Sequence, residues 1–230
     1  MAGHGTAAEE RSLDPDLATL VAQAEGGLYI RATGPELVVV APDRPGLFCQ
    51  VAGVLSLHGL EIVAADAWPA DGAMAVEKFR VQRSIGGQPN WQRFEQDLSR
   101  TLDGELALEA RLAERAQTYA AQRVLRTRRR IEVSVTVDND AAAAASVVEV
   151  RGPDALGFLY RVTRSLLQLR LDISHAKVAT LGDEVIDSFY VVDRRGNKLT
   201  DPTRIAELGR AVLFELARLG IDTVTKAIIG

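Results

Sequence analysis

Cysteine is all but missing from this chain of 230 residues, with Cys49 standing alone. A lone thiol excludes an internal disulfide framework and fits a reducing compartment. Aromatic side chains make up only 5% of the chain, and positive charge is not in excess, because 27 Lys and Arg face 31 Asp and Glu for a net charge of −4. Nucleic acid is therefore not expected as a partner: RNA recognition on a sheet needs exposed aromatics with basic neighbours, and acids such as Asp66, Glu77 and Asp187 stand in the strand-like runs instead. No apolar run approaches the ~20 residues of a membrane span, and the N-terminus carries neither the basic nor the apolar region of a signal peptide, so no membrane partner is expected and the cytoplasm is the expected location.

Catalytic patterns are missing too. The three histidines, His4, His58 and His175, are isolated, and none sits at metal-ligand spacing. No Gly-x-Ser-x-Gly, Walker or Gly-x-Gly-x-x-Gly sequence occurs. Asp138-Asn139-Asp140 has the look of a metal-binding pair but precedes a run of alanines, which reads as a turn and linker. Neither a metal, a cofactor nor an enzymatic activity is expected of the chain. Cys49, one residue past Phe48, reads as a structural thiol.

What is present is a sentence said twice. Pro42-Asp43-Arg44-Pro45-Gly46-Leu47-Phe48 aligns without a gap with Pro153-Asp154-Ala155-Leu156-Gly157-Phe158-Leu159, 111 residues later. A repeat at that spacing means two similar domains, since solenoid periods run to about 20–50 residues. Before each motif lies an apolar strand-like run (Leu37–Ala41, Val147–Val150), and after each an amphipathic helix pattern, with Asp43 suited to an N-cap and Pro45 to a first helical turn. Second strands follow at Leu60–Trp68 and Leu171–Thr180, and third strands at Ala73–Val81 and Glu184–Asp193, joined by tight turns. Asn90 and Asp201-Pro202 open further helices, and Ile131–Val137 and Ile221–Ile229 read as the strands that close each repeat. The order βαββαβ, twice, predicts an α+β protein of two ferredoxin-like domains, each an antiparallel sheet with helices on one face. The expected division is a disordered or short helical segment over 1–27, a first domain with a helical insertion over 28–137, a linker over 138–145 and a second domain over 146–230.

Each Asp-x-x-Gly turn stands where a strand gives way to a helix. Backbone N–H groups there lack intrahelical partners and suit a ligand carboxylate. Gly46 and Gly157 lack the Cβ that would block close approach, and Asp43 and Asp154 are expected to answer a ligand ammonium. Backbone of the facing second strand, around Ile62–Asp66 or Ser174–Lys177, is expected to complete a pocket between the repeats. The expected ligand-binding residues are Asp43, Arg44, Gly46, Leu47, Ile62, Ala64 and Asp66 in the first repeat, and Asp154, Ala155, Gly157, Phe158, Ser174 and Lys177 in the second. The other reading treats these turns as caps alone and the run Arg123, Arg126, Arg128, Arg129, Arg130 as a face that docks an acidic partner.

The motif Pro42–Phe48, followed by Gly59-Leu60-Glu61-Ile62, resembles the first half of an ACT domain. The second copy resembles one through Asp172-Ile173-Ser174-His175-Ala176-Lys177-Val178-Ala179-Thr180-Leu181-Gly182 and Asp187-Ser188-Phe189-Tyr190-Val191. With Val137-Asp138-Asn139-Asp140 before it, that stretch is similar to the C-terminal tandem ACT region of bifunctional PII-protein uridylyltransferase/uridylyl-removing enzymes. The resemblance implies a regulatory module that binds a free amino acid, glutamine in that family, and works with the catalytic domains of the same enzyme or with PII protein. That family's nucleotidyltransferase and His-Asp hydrolase motifs have no counterpart here. In two places the second copy departs from the first: Leu156 stands where the first has Pro45, and Arg170 where it has Gly59.

Overall fold

The computed structural model describes residues 15–83, 88–123, 131–221 and 226–227. The N-terminal segment expected to be disordered, His4 and the arginines from 126 to 130 lie outside these residues, as does most of the last expected strand. Helix α1 spans Pro15–Gln23, with Pro15 at the start and Asp16 in the first turn, where an acid meets the positive end of the helix dipole. Strands β1 (Tyr29–Thr33) and β2 (Glu36–Pro42) form an antiparallel hairpin about Gly34-Pro35. Helix α2 (Leu47–Leu57), β3 (Leu60–Ala70), β4 (Met74–Arg83) and α3 (Trp91–Leu102) follow. An extra helix, α4 (Leu108–Arg123), precedes β5 (Ser134–Asp138), β6 (Ser146–Pro153), α5 (Phe158–Gln168), β7 (Leu171–Leu181), β8 (Glu184–Asp193), α6 (Pro202–Ala217) and the short β9 (Lys226–Ala227).

The strands form two sheets, in the orders β1-β2-β4-β3 and β7-β8-β6-β5-β9. Among the described residues all pairings are antiparallel except β5 with β9. Each sheet has the ferredoxin-like layout, with the repeat's own helices packed on one face; in the first sheet α1 also covers part of the other, where helices on one face alone were expected. One expectation is corrected: the strand predicted at Ile131–Val137 forms over Ser134–Asp138, yet it pairs with β6 in the second sheet rather than closing the first. In the first sheet the place beside β2 is taken by β1. The unit that repeats is therefore ββαββα, with the edge strand ahead of the motif strand rather than after it.

The local chemistry explains the elements. Asn90 caps α3, its side chain accepting from Arg93 N at 3.0 Å, and Asp201 caps α6, accepting from Thr203 N at 2.9 Å with Pro202 behind it. Asp138 closes a turn by accepting from the backbone of Asp140 and Ala141, so Asp138-Asn139-Asp140 is a turn, as read from the sequence. On β8, Val185, Asp187, Phe189 and Val191 point inward and are buried, while Ile186, Ser188 and Tyr190 are half-buried on the other face. β2 instead reads as a continuous apolar run because both of its faces are covered. Leu37, Val39 and Ala41 meet the helices, while Val38 and Val40 pack with Leu20 and Ala24 beneath α1.

The two units share one core. α2 packs on α5, and β3 lies alongside β7, so the units sit side by side with edge strands and first helices meeting across a seam. At that seam His175 Nδ1 of β7 lies 3.0 Å from Asp66 Oδ1 of β3. Buried Cys49 sits against the Tyr160 carbonyl, and burial pushes its thiol up to about 12, which makes it an unreactive core residue. His58 is the C-cap of α2. Its ring, however, turns inward to Asp97 of α3 at 3.0 Å, and burial holds its pKa below the usual value despite the carboxylate.

Candidate functional site

The Asp-x-x-Gly turns have the same geometry in both units. Asp43 N donates to Ala73 O, and Asp154 N to Asp183 O, each at 2.8 Å. Leu47 N then donates to Arg44 O at 3.2 Å, and Phe158 N to Ala155 O at 3.0 Å. The helix begins one turn later than Asp43 or Pro45 would set it. The N-caps are Gly46 (φ 87°) and Gly157 (φ 83°), and neither helix start has a side-chain cap. Asp43 is thus not the N-cap that its residue type suggested. Glycine is required by the left-handed backbone itself, in addition to the space before it. A Cβ on Gly46 would also come within 2.6 Å of Leu167 Cδ2 of α5. Leu47 N and Phe158 N are taken up by their own turns, and with no side-chain cap the next N–H groups of each first helical turn are left for another acceptor.

Each turn opens on a cleft that the other unit completes. The first, of about 320 Å³, runs from Asp43, Arg44, Gly46 and Leu47 past Trp68 and Glu77 to Thr163, Leu167, Ile173 and Ser174. A cleft of that size is in the range that holds a small ligand. The second is narrower, at about 60 Å³, and runs from Asp154, Ala155, Gly157 and Phe158 past Asp187 to Ser56, Glu61 and Ile62. Of the expected site residues, Asp43, Arg44, Gly46, Leu47 and Ser174 come together in the first, and Asp154, Ala155, Gly157, Phe158 and Ile62 in the second. Ala64, Asp66 and Lys177 line neither cleft, and Asp66 is turned to His175 instead. The facing strands carry bulges at matching places, between Ile62 and Ala64 and between Ile173 and His175. An extra residue there bends each strand where it passes the other unit's turn.

Two residues at the base of the clefts were passed over as sites in the sequence. Glu77 on β4 and Asp187 on β8 hold equivalent places in the repeat, and they are 2% and 1% exposed. Among the described residues Glu77 Oε2 and Asp187 Oδ1 have no hydrogen-bond partner. Burial, reinforced by the nearby Asp43, pushes the Glu77 carboxyl up to about 8. Burial does the same to Asp187, again to about 8, with Asp154 adding to it and a hydrogen bond from the Ala179 backbone opposing it. The signal was there to read. Both acids fall on the inward row of a strand whose other members are apolar, opposite Val39 and Val150, which are themselves 111 residues apart. Among the described residues no group of three or more His, Cys, Asp or Glu could hold a metal ion, and no helix is long and apolar enough to cross a membrane.

Residues 134–225 match the family model described as the ACR9-like, ACT-like domain. Over 188 residues the chain is 35% identical to the bifunctional uridylyltransferase/uridylyl-removing enzyme of Azospirillum brasilense, covering 79% of this chain and 20% of that protein. The enzyme of the same name from Gluconobacter oxydans is 35% identical over 194 residues, covering 82% and 20%. That of Streptomyces coelicolor is 36% identical over 172 residues, covering 72% and 20%. The chain spans about one fifth of the length of these curated relatives.

Proposed function

Because the chain carries an ACT-like domain and is homologous to one stretch of the bifunctional uridylyltransferase/uridylyl-removing enzymes, we propose that it is a regulatory amino-acid-binding module, with glutamine as its ligand, that controls a PII-protein nucleotidyltransferase. The observation that carries this reading is the pair of clefts on the seam. Each joins an uncapped helix start from one unit to the bulged strand of the other. The N–H groups of the first helical turn that follow Leu47 and Phe158 suit a ligand α-carboxylate. A ligand held between two units changes how they sit against each other, which is how a sensor passes occupancy to a partner domain. The module itself has no part in nucleotidyl transfer or hydrolysis. Isothermal calorimetry with each of the twenty amino acids tests the reading. Glutamine is expected to bind at sub-millimolar concentration and more tightly than the other nineteen. Binding of none at millimolar concentration leaves the turns as caps and ends the proposal.

A further inference from the structure

Glu77 and Asp187 pose a question that packing does not answer. A buried carboxyl oxygen without a hydrogen-bond partner is costly, and one such oxygen stands at the same place in both units. Among the described residues no arginine or lysine forms a salt bridge with either. The molecule does build buried ion pairs elsewhere: Arg161 meets Glu215 at 2.9 Å with both side chains almost wholly buried. Each orphan oxygen belongs to a residue lining a cleft, and each cleft also contains an uncapped helix start. A zwitterion needs an acceptor for its ammonium and donors for its carboxylate, and the cleft supplies both within one small volume. Asp43, by contrast, is exposed at the rim, where water screens it.

We propose that Glu77 is the ammonium-binding group of the first cleft and that Asp187 has the same role in the second. This rests on the amino-acid-binding reading and adds to it the residue that selects for a free α-amine. The groups facing Glu77 are Asp43 and Arg44 on the turn, Cys49 on α2 and Asp172 on β7; those facing Asp187 are Asp154 on its turn and Glu61 on β3. The 320 Å³ cleft takes a whole amino acid, so Glu77 dominates binding, while the 60 Å³ cleft must widen before Asp187 can act. With its carboxyl near 8, Glu77 holds a proton at pH 7 in the free protein and must release it when an ammonium arrives. Binding is therefore linked to proton release.

Calorimetric titration of the full chain with L-glutamine and with N-acetyl-L-glutamine, in two buffers of different ionisation enthalpy, reads both consequences. The parent is expected to release about one proton per glutamine at pH 7 and to bind about tenfold more tightly per pH unit between 6 and 7.5. The isosteric Glu77→Gln variant is expected to lose about 10- to 100-fold in affinity and to release no proton. Asp43→Ala is expected to lose less than about threefold, because an exposed charge contributes little. N-acetyl-L-glutamine, which has no ammonium, is expected to bind neither form better than weakly. Circular dichroism confirms that Glu77→Gln remains folded, as removal of an unpaired buried acid should allow; if it does not, Glu77→Met supplies the same comparison. Glutamine binding unchanged by Glu77→Gln, without proton release in the parent, overturns this inference and leaves the regulatory reading standing. A parent that binds no amino acid overturns both.

Discussion

At the scale of single residues, the two buried acids give the molecule a stability that falls as pH rises. An ordinary Glu titrates near 4.5 and an ordinary Asp near 3.8, whereas both groups here are pushed up to about 8. Between those values the folded state keeps protons that the unfolded chain has lost. The contribution is complete below about pH 4 and is lost as pH climbs towards 8, at up to about 1.4 kcal/mol per pH unit for each group. Urea unfolding between pH 5 and 8 is expected to show this slope in the parent and a much flatter one in the double variant Glu77→Gln/Asp187→Asn. Parallel slopes would show that the acids are not buried as described. The residue type alone did not mark them, because one acid in a strand reads as a solvent-facing position. Only the alternation around it (Ala75, Phe79 and Val81 about Glu77; Val185, Phe189 and Val191 about Asp187) reveals that it faces inward. Asp43 misled for the opposite reason. It is a good cap by type, yet the backbone turns once more before the helix begins at Gly46.

Among the elements, the helix ends repay comparison. α2 is followed by Gly59 at φ 68°, where glycine is at ease, and α5 by Arg170 at φ 60°, where a β-carbon is strained. Arg170→Gly is expected to stabilise the chain by about 0.5–1 kcal/mol, read as a higher urea midpoint at unchanged slope. A fall in the midpoint would mean that the arginine side chain holds something the turn needs. Element identity was largely legible: hydrophobic period and turn residues located the hairpins, and Asn90 and Asp201 located their helices. Which sheet a strand joins was not legible. Alternation in Ile131–Val137 says that a strand forms with one face buried, but it does not say whose face covers it. β5 found β6, and β1 had already filled the edge it was expected to take.

At the scale of the whole molecule, α4 ties the units together. Glu109 on α4 meets Arg161, Arg164 and Arg218 of the second unit, and Leu108 and Leu112 enter the common core. Gly53 of α2 is a point of close approach: a Cβ there would fall 2.7 Å from Leu108 Cδ2 and 2.7 Å from Tyr160 Cδ2. Gly53→Ala improves helix propensity but is expected to destabilise the chain by about 1–3 kcal/mol through overpacking. Thermal unfolding checks the sign, and a raised melting temperature would mean that the two helices part easily. The clefts depend on this closeness, because each is made of both units. The sequence pointed to turns facing a partner strand, but not to how wide each cleft would be. Width depends on how side chains such as Leu167 and Ser56, each contributed by the first helix of the other repeat, settle across the seam.

The order ββαββα has a consequence for a chain leaving the ribosome. Among the described residues every strand of the first sheet lies before residue 84 and the second sheet begins with β5 at Ser134, so the pairings of the two sheets do not interleave. The leading half can close its sheet while the trailing half is still being synthesised. For several seconds, at about 5–20 residues added per second, the β3 edge and the apolar side of α2 are then uncovered, waiting for β7 and α5. A second nascent chain at the same stage offers the same half-finished surface. Crowded polysomes are thus where this molecule is most exposed to pairing with the wrong copy of itself.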